Sequence, residues 1–248
     1  MAEAPLRVVP LGPDTWDAFD ALVEANGGIF GGCWCIGFHP ETGTPGLNHR
    51  DAKRERVMTD RAHAALVLDT TGAAVGWAQF GGPAELTRIK HRRAYEAEPP
   101  PSPDWRLTCV FVGKGHRGQG VARAAVEGAV DLIAAAGGGS VEAIAETTTG
   151  RTAVGRFLFS STVELLESVG FTRLRQVGKY AWIVTASIPR AREGEPSGRA
   201  HPVVTLDRAA PAPTAERASR SSRSPAPPSA PGGRGRWRDR PSPGTRGP

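Results

Sequence analysis

The feature that most constrains the fold is a glycine-rich turn between an apolar run and an amphipathic stretch. Residues 106–112 read RLTCVFV, which predicts a buried strand, and residues 118–136 place apolar side chains at helical spacing. The apolar stripe of this helix comprises Val121, Ala125, Val126, Ala129, Leu132 and Ile133. Backbone N–H groups at such a helix start attract the negative charge of a phosphate. The turn therefore predicts a site for a phosphate-bearing ligand.

Two overlapping signatures describe this turn. G-x-G-x-x-G begins at Gly113 and is the dinucleotide pattern, for which Glu142 or Glu146 could supply the acid expected about 20 residues further on. R-G-x-G-x-A begins at Arg117 and is a turn pattern used for acyl-coenzyme A. A predicted hairpin precedes the turn, and only one further helix and a terminal hairpin follow the next strand. Too little chain remains for a doubly wound parallel sheet, so the context favours the second signature.

Composition divides the chain near residue 188. Residues 189–248 hold 12 of the 22 prolines and 12 arginines against five acidic residues. Such a segment cannot bury enough apolar area to offset the entropy of ordering. The sequence predicts one domain over 1–188 and a disordered Pro/Arg/Ser-rich tail over 189–248. Because the tail carries the whole excess of positive charge, the net charge of +6 does not predict a specific nucleic-acid partner.

Periodicity and turn residues predict the remaining elements of the domain. The predicted order is β-α-α-β-β-β-α-β-α-β-β, a mixed α/β domain without internal repeats. Residues 88–98, basic and then acidic, are expected to form a loop. The other expected elements are a strand at 6–11, helices beginning at 13 and spanning 50–62 and 157–171, hairpins over 64–81 and 171–188, and a strand at 140–146.

The motifs in this order resemble the GNAT superfamily of N-acetyltransferases. CVFVGKGHRGQGVA (109–122) resembles the pyrophosphate-binding segment of that superfamily, and ELLESVGF (164–171) resembles its last helix, which typically ends in Gly-Phe. GGCWCIGF (31–38), with VGWAQFG (75–81) and DWRLTCVFV (104–112), resembles a bacterial subgroup with a Cys-Trp-Cys segment near the N-terminus. The resemblance implies a mixed, mostly antiparallel central sheet with flanking helices, the acyl-CoA N-acyltransferase fold.

The resemblance also implies acetyl-CoA as cosubstrate, bound where the fourth and fifth strands separate. A bulge in the fourth strand would leave backbone N–H groups for the thioester carbonyl and its oxyanion. Val110, Phe111 and Val112 would line the acetyl and pantetheine arm through their backbone atoms. The pyrophosphate would be held by the turn residues Arg117, Gly118, Gln119, Gly120, Val121 and Ala122.

Acetyl transfer to an amine requires a base, because a cationic amine is not a nucleophile. Glu142, on the strand that faces the cleft, is the first candidate, and Glu146 is the second. The alternative for both is a carboxylate at a strand end without a catalytic role. The superfamily often has a tyrosine as general acid four residues before the Gly-Phe glycine, but Leu166 stands there in this chain. The resemblance therefore implies no general acid here.

The chain has three cysteines, two of them in Cys33-Trp34-Cys35. An odd and small number of cysteines does not suit a disulfide framework, so reduced thiols are predicted. Their spacing with His39 matches no familiar zinc site, so no metal is predicted. A covalent acyl-cysteine route is not favoured, because direct transfer needs no protein nucleophile. Packing beside Trp34 in one wall of the acceptor pocket is the expected role of Cys33 and Cys35, and Cys109 is expected in the core.

Residues 1–14 lack the pattern of a signal peptide, and no stretch approaches the roughly 18 apolar residues of a membrane span. With reduced thiols, this predicts a cytoplasmic protein that does not enter a membrane. The oligomeric state is open, although the resemblance makes a homodimer possible.

The sequence thus predicts an N-acetyltransferase that moves acetyl from acetyl-CoA to a primary amine by direct attack in a ternary complex. The competing hypothesis is a non-catalytic acyl-CoA-binding or regulatory module, which the leucine at the tyrosine position supports. The identity of the amine is open.

Overall fold

The structure, a computed structural model, describes residues 6–29, 31–150 and 158–191. Within these residues seven strands form one sheet flanked by helices, so the predicted mixed α/β fold is confirmed. The strands are β1 (Arg7–Pro10), β2 (His63–Leu68), β3 (Ala74–Gly81), β4 (Trp105–Val112), β5 (Gly139–Glu146), β6 (Thr172–Gln176) and β7 (Ala181–Ile188). The α-helices are α1 (Trp16–Ala25), α2 (His49–Met58), α3 (Arg92–Ala97), α4 (Val121–Ala135) and α5 (Val163–Glu167), and a 3-10 turn (Pro13–Thr15) precedes α1.

The sheet is mostly antiparallel, with the order β1-β2-β3-β4-β5-β7-β6. Its parallel pair, β4 and β5, is in register only from Trp105 opposite Val141 to Leu107 opposite Ala143. β5 continues to pair with β7 as far as Glu146. The two central strands therefore separate after their first three rungs, and a gap opens toward the carboxyl end of β4.

A β-bulge lies where the two strands separate. On β3, Gln79 is opposite Cys109 and the next residue, Phe80, is opposite Leu107, so Thr108 is an extra residue in β4. A bulge changes the direction of a strand and interrupts the hydrogen-bond ladder. The bulge in β4 therefore directs the end of this strand away from β5.

Apolar side chains cover both faces of the sheet. α4 packs on one face so closely that a Cβ atom at Gly128 would lie 2.3 Å from Cγ1 of Val8 on β1. On the other face, α1 packs the Phe19 ring edge-on against Trp77, with 5.0 Å between ring centroids, and Trp77 stacks on Phe111 at 4.6 Å. Burial of each such large side chain stabilises the fold by about 1.5–3 kcal/mol. The two cores hold β4 between α1 and α4.

Two elements differ from the sequence prediction. The expected loop over 88–98 contains α3, whose Tyr95 is buried and whose last carbonyls accept hydrogen bonds from Arg175. The helix predicted over 157–171 is wrong in its first part, because α5 begins only at Val163. Thr162 caps α5 by accepting a hydrogen bond from the Leu165 amide, and the residues before it bond to the sheet instead.

The predicted tail lies outside the described residues from position 192 onward. Within the described part of the chain, no helix is both long and apolar enough to cross a bilayer.

Candidate active site

The glycine-rich turn joins the end of β4 to the start of α4. Gly115, Gly118 and Gly120 have φ angles of +95°, +76° and +79°, a region that favours glycine. Gly120 is the N-cap of α4, and its carbonyl accepts the first helical hydrogen bond from the Ala124 amide at 3.0 Å. The side chain of Gln119 donates to the Gly115 carbonyl at 2.9 Å and closes the turn. The first amides of α4 have no acceptor within the helix, so the turn offers donors and the positive end of the helix dipole.

The structure brings the six predicted pyrophosphate residues together in this turn. Arg117 and Gly118 are exposed, Gln119 and Gly120 are half-buried, and Val121 is buried against β3. A Cβ atom at Gly76 on β3 would lie 2.6 Å from Cγ1 of Val121, so the start of α4 packs directly on the sheet. The turn therefore has an exposed outer side and a rigid base next to the gap between β4 and β5.

The backbone of β4 supplies polar groups to the gap. The Gly113 amide donates to the Val75 carbonyl on β3 at 2.8 Å, and strand alternation then directs the amides of Val110 and Val112 away from β3, toward β5. The same alternation directs the Phe111 backbone to β3. Val110 and Val112 therefore present their N–H groups to the gap, whereas Phe111 contributes its ring to the core.

A segment of the chain itself lies in this gap. The Val110 amide donates a 2.7 Å hydrogen bond to the carbonyl of Phe159, and Thr162 forms a parallel bridge with Glu146 at the end of β5. We call residues 158–162 the gap segment. Its Phe159 carbonyl therefore occupies the Val110 amide, which is expected to face the coenzyme.

Glu142, the predicted base, is buried beside the point where the strands separate. Its side chain is 3% exposed, its Oε2 accepts a 3.0 Å hydrogen bond from the Tyr95 hydroxyl, and its Oε1 lies 3.7 Å from Nε of Arg106. Burial raises the pKa of this carboxyl, while the bond from Tyr95 and the Arg106 charge lower it by less. Glu142 is therefore set to hold a proton more readily than a carboxyl in water.

A small cavity connects Glu142 to the bulge. Its volume is about 20 Å³, and Arg106, Thr108, Glu142 and Ser160 lie in its wall. A cavity of this size holds about one water molecule, provided that it has polar partners. A single water could therefore relay a proton between Glu142 and a group at the bulge.

Glu146, the second candidate base, is engaged in an ion pair. Nζ of Lys90 lies 2.5 Å from its Oε1, and the same ammonium lies 4.8 Å from the centre of the Phe159 ring. Glu146 and Lys90 therefore fix the gap segment against the end of β5.

A larger cavity of about 310 Å³ lies beside the bulge, on the face of the sheet opposite α4. Cys33, Cys35 and Cys109 all line it, and all three are free thiols. Trp34 and Cys35 have φ angles of +48° and +53°, which side chains of this size rarely adopt. Backbone strain of this kind is concentrated at functional sites. The Cys-Trp-Cys segment thus combines an uncommon backbone conformation with two cysteines in the wall of a cavity.

Behind the sulfur atoms lies a buried lysine that sequence reasoning missed. Lys53 of α2 is 1% exposed, and its Nζ donates to Oε1 of Gln79 at 3.0 Å and lies 3.3 Å from Nε2 of His39. Burial, followed by the charges of Lys53 and Arg56, lowers the pKa of His39 to about 2, so this imidazole stays neutral. In the sequence, Lys53 lies three and four residues before Arg56 and Val57, a spacing that places the three side chains on one face of a helix. The structure buries all three.

Gln79 extends this polar cluster to the bulge. Its Nε2 donates to Oγ1 of Thr108 at 3.1 Å, so a chain of buried polar contacts joins Lys53 to the extra residue of β4. Leu166, at the position of the usual tyrosine, is fully buried in the apolar core with α4. No three His, Cys, Asp or Glu side chains of the described ranges are arranged to hold a metal ion.

Comparison with known proteins agrees with this architecture. The acetyltransferase (GNAT) family model matches residues 30–159. A search of curated proteins gave no match. Among solved structures, a histone acetyltransferase and related acetyltransferase from Corynebacterium glutamicum is 19% identical, covering 78% of this chain and 99% of its own, with a TM-score of 0.44.

Two further solved structures have comparable values. A ribosomal-protein alanine N-acetyltransferase from Escherichia coli is 14% identical over 76% of this chain and 97% of its own, with a TM-score of 0.40. A GNAT superfamily phosphinothricin acetyltransferase from Sinorhizobium meliloti, in complex with AcCoA, is 15% identical over 78% of this chain and 95% of its own, with a TM-score of 0.43.

The match of the family model places the protein in the class of acyltransferases that use acyl-CoA. The chain belongs to the acetyltransferase (GNAT) family, as its motifs predicted. Membership implies that it binds acyl-CoA and an acceptor substrate. The dinucleotide interpretation of the glycine turn is wrong, because the surrounding sheet is mostly antiparallel and is not doubly wound.

Proposed function

We propose that the protein is an N-acetyltransferase that moves an acetyl group from acetyl-CoA to a primary amine by direct attack in a ternary complex. The observation that carries this proposal is the separation of β4 from β5 after Leu107 and Ala143, next to a turn whose glycines have positive φ angles. An extended pantetheine arm would lie along β4 in this gap, and the turn would supply donors for a diphosphate.

Each part of the coenzyme has a proposed partner. The backbone amides from Gly118 to Ala122 and the exposed guanidinium of Arg117 would bind the pyrophosphate, as anions bind at helix N-termini. The Val112 amide would bind the arm through its backbone. The thioester carbonyl would take the place of the Phe159 carbonyl on the Val110 amide, so the gap segment would move when the coenzyme enters.

The reaction needs one base and one oxyanion site. Glu142, through the water that the small cavity can hold, would take the proton from the ammonium of the acceptor. The amine nitrogen then attacks the thioester carbon, and the Val110 amide stabilises the oxyanion that forms. As the intermediate collapses, the C–S bond breaks and coenzyme A departs as a thiolate, while the amide nitrogen loses its second proton to solvent. Leu166 provides no acid for the thiolate, so its departure depends on the thiol's own low basicity.

A second candidate function is a non-catalytic acyl-CoA-binding module. Two observations favour it: the apolar Leu166 at the position of the general acid, and the hydrogen bond that already joins Phe159 to the Val110 amide. Such a module would bind the coenzyme at the same turn but would not turn it over.

Two measurements separate these functions. Thermal stabilisation by acetyl-CoA, with none by NAD, would support coenzyme binding at the glycine turn. Release of free thiol from acetyl-CoA, measured with a thiol reagent and increased by an amine, would support the transferase. Stabilisation by acetyl-CoA without amine-dependent thiol release across a broad amine panel would support the module. Absence of acetyl-CoA binding would refute both.

A further inference from the structure

The cavity of about 310 Å³ adjoins the place where the acetyl group would lie. Cys109 in its wall directly precedes Val110 on β4, and Phe159, also in its wall, bonds through its carbonyl to the Val110 amide. A ligand in this cavity therefore lies on the side of β4 opposite α4 and next to the proposed oxyanion site. Its volume is near the lower end of the range of small-molecule sites, roughly 300–1,000 Å³.

On the basis of the proposed function, we infer that this cavity is the acceptor site and that it takes a small amine with an apolar, preferably aromatic, body and one anionic group. The basic side chains that line the cavity would exclude polycationic acceptors such as polyamines and aminoglycosides.

The wall of the cavity is largely apolar. Ile29, Phe38, Ile89 and Phe159 contribute hydrocarbon surface, and the Phe38 and Phe159 rings lie 6.0 Å apart. The three cysteines also line the cavity. Sulfur makes favourable contacts with aromatic rings. This surface suits an apolar ring or a branched aliphatic group better than a polar chain.

The charged side chains among the described residues of the wall are both basic. Arg88 and Lys90 line the cavity, and no Asp or Glu of the described residues does. Lys90 is paired with Glu146, whereas the Arg88 side chain donates through Nη2 to the carbonyl of Thr42 and is exposed. A guanidinium has five N–H donors, so Arg88 retains donors for a carboxylate or another anion at the cavity entrance.

The same charges oppose a polycation. A polyamine would place two or more positive charges near Arg88, and the carboxylate next to Lys90, that of Glu146, is already paired with that lysine. A single amine in an apolar cavity behaves differently, because burial disfavours its charged form and lowers its pKa. The cavity would therefore help Glu142 to produce the neutral amine that the reaction requires.

Three amines test the inference. L-Phenylalanine and 2-phenylethylamine are a matched pair that differ only in the carboxylate, and spermidine is the polycation. Thiol release from acetyl-CoA is measured with each at several concentrations. We expect kcat/KM to be highest for L-phenylalanine and at least tenfold higher for either aromatic amine than for spermidine. The substitution Arg88→Met should lower the ratio of kcat/KM for L-phenylalanine to that for 2-phenylethylamine by about tenfold, because it removes the partner of the carboxylate.

The inference is overturned if spermidine or an aminoglycoside is the preferred acceptor, or if Arg88→Met changes both aromatic amines equally. If no amine is turned over, binding of each amine in the presence of acetyl-CoA is measured by thermal shift instead. If neither aromatic amine binds, the assignment of the cavity is wrong. These outcomes leave the proposed function intact as long as acetyl-CoA itself binds and some amine increases thiol release. Failure of acetyl-CoA to bind would instead remove the proposed function.

Discussion

The Tyr95 hydroxyl donates a 3.0 Å hydrogen bond to Oε2 of Glu142, and both side chains are buried. Tyr95 belongs to the short helix α3, which packs over the strand that carries Glu142. A hydrogen bond to a carboxylate stabilises its charged form, so Tyr95 opposes the effect of burial on the pKa of Glu142. Burial raises the pKa of the proposed base, and a residue 47 positions away in the chain limits that rise.

Replacement of Tyr95 should move the pH dependence of acetyl transfer. The base is active when deprotonated, so activity falls as the pH drops through the pKa of Glu142. Tyr95→Phe removes a hydrogen bond that lowers this pKa, and the acidic limb of the kcat/KM profile should therefore shift to higher pH. The same substitution at the other tyrosine, Tyr180→Phe, should leave the limb in place. An unshifted limb in Tyr95→Phe would mean that Glu142 is not the titrating base.

Glu142→Gln should separate catalysis from stability. Loss of a general base typically lowers kcat by about 10²- to 10⁴-fold. The thermal stability of the variant, in contrast, should not fall. A carboxyl whose folded pKa is raised contributes stability below its ordinary pKa, and this contribution is lost as the pH rises through the folded value. At pH 7 the buried carboxylate thus opposes folding, and glutamine should keep or raise the Tm. Unchanged kcat in a folded Glu142→Gln protein would refute the assignment.

The parts of the fold that sequence reasoning predicted correctly are those with local signals. Strand alternation and the apolar stripe of α4 depend on neighbouring residues, and the turn at 113–120 carries its own glycines. α3 has only six residues, too few for a helix that is stable alone. It is held by Arg175, which donates to carbonyls about 80 positions away. No local pattern contains such a contact.

The candidate site could be located from the sequence through its strand and turn, whereas most of the side chains around it could not. Glu142 could be named because strand order places β5 beside the gap. Lys53 was hidden in a strongly charged helix, where burial depends on what packs against it. The gap segment was predicted as helix because its apolar spacing continues into α5, and its bond to Val110 depends on the separation of β4 and β5.

Gly118→Val should weaken acetyl-CoA binding without unfolding the protein. Gly118 has a φ of +76°, and an added Cβ would meet no atom within 4 Å in the free protein. The left-handed conformation costs a non-glycine residue about 1–2 kcal/mol. Because the side chain would project from the turn that we propose holds the pyrophosphate, the Kd for acetyl-CoA should rise at least tenfold, as measured by calorimetry.

Gly46→Val is the matched control for this change. Gly46 has a φ of +74° and equally open space, but it lies in the loop before α2. The two variants should lose similar Tm, whereas only Gly118→Val should lose affinity. Equal affinities for acetyl-CoA in both variants would refute the assignment of the turn.

The cation of Lys53 should make Cys35 the most reactive thiol of the cavity. Burial alone would raise the pKa of the Cys35 thiol, but the hydrogen bond with Cys109 and the charge of Lys53 lower it overall. The pKa of Cys109 is instead raised well above the ordinary value by its bond to Cys35 and by burial. At pH 7.5, iodoacetamide should therefore label Cys35 faster than Cys109, since the thiolate is the nucleophile.

Lys53→Met should slow the labelling of Cys35 by roughly three- to tenfold, because it removes the cation that favours the thiolate. Cys33, whose pKa is raised mainly by burial and by the charge of Cys35, serves as the internal control and should not be labelled more slowly. Peptide mass spectrometry at successive times gives all three rates from one sample. Equal slowing at every cysteine would indicate a closed cavity and would contradict an electrostatic role for Lys53.

Glu164 on α5 should stabilise the chain that leaves β5. Its Oε1 accepts hydrogen bonds from the side chain of Thr147 at 2.7 Å and from the backbone of residues 148 and 149 at 3.0 and 3.3 Å. Burial alone would raise the pKa of Glu164, but these bonds lower it to about 2. The lowered pKa means that the contribution to stability is present above the ordinary value and is lost as the pH falls toward 2.

Glu164→Gln should therefore lower the free energy of unfolding at pH 7 by on the order of 1–2 kcal/mol, after allowance for solvent screening of a partly exposed group. Glu167→Gln on the same helix breaks an exposed ion pair with Arg173, which is worth at most about 1 kcal/mol, and is the control. Urea unfolding at pH 7 and at pH 3 tests the assignment, because the difference between Glu164→Gln and the unchanged protein should shrink at the lower pH. A difference that is the same at both pH values would show that the bonds, and not the charge of Glu164, stabilise this part of the fold.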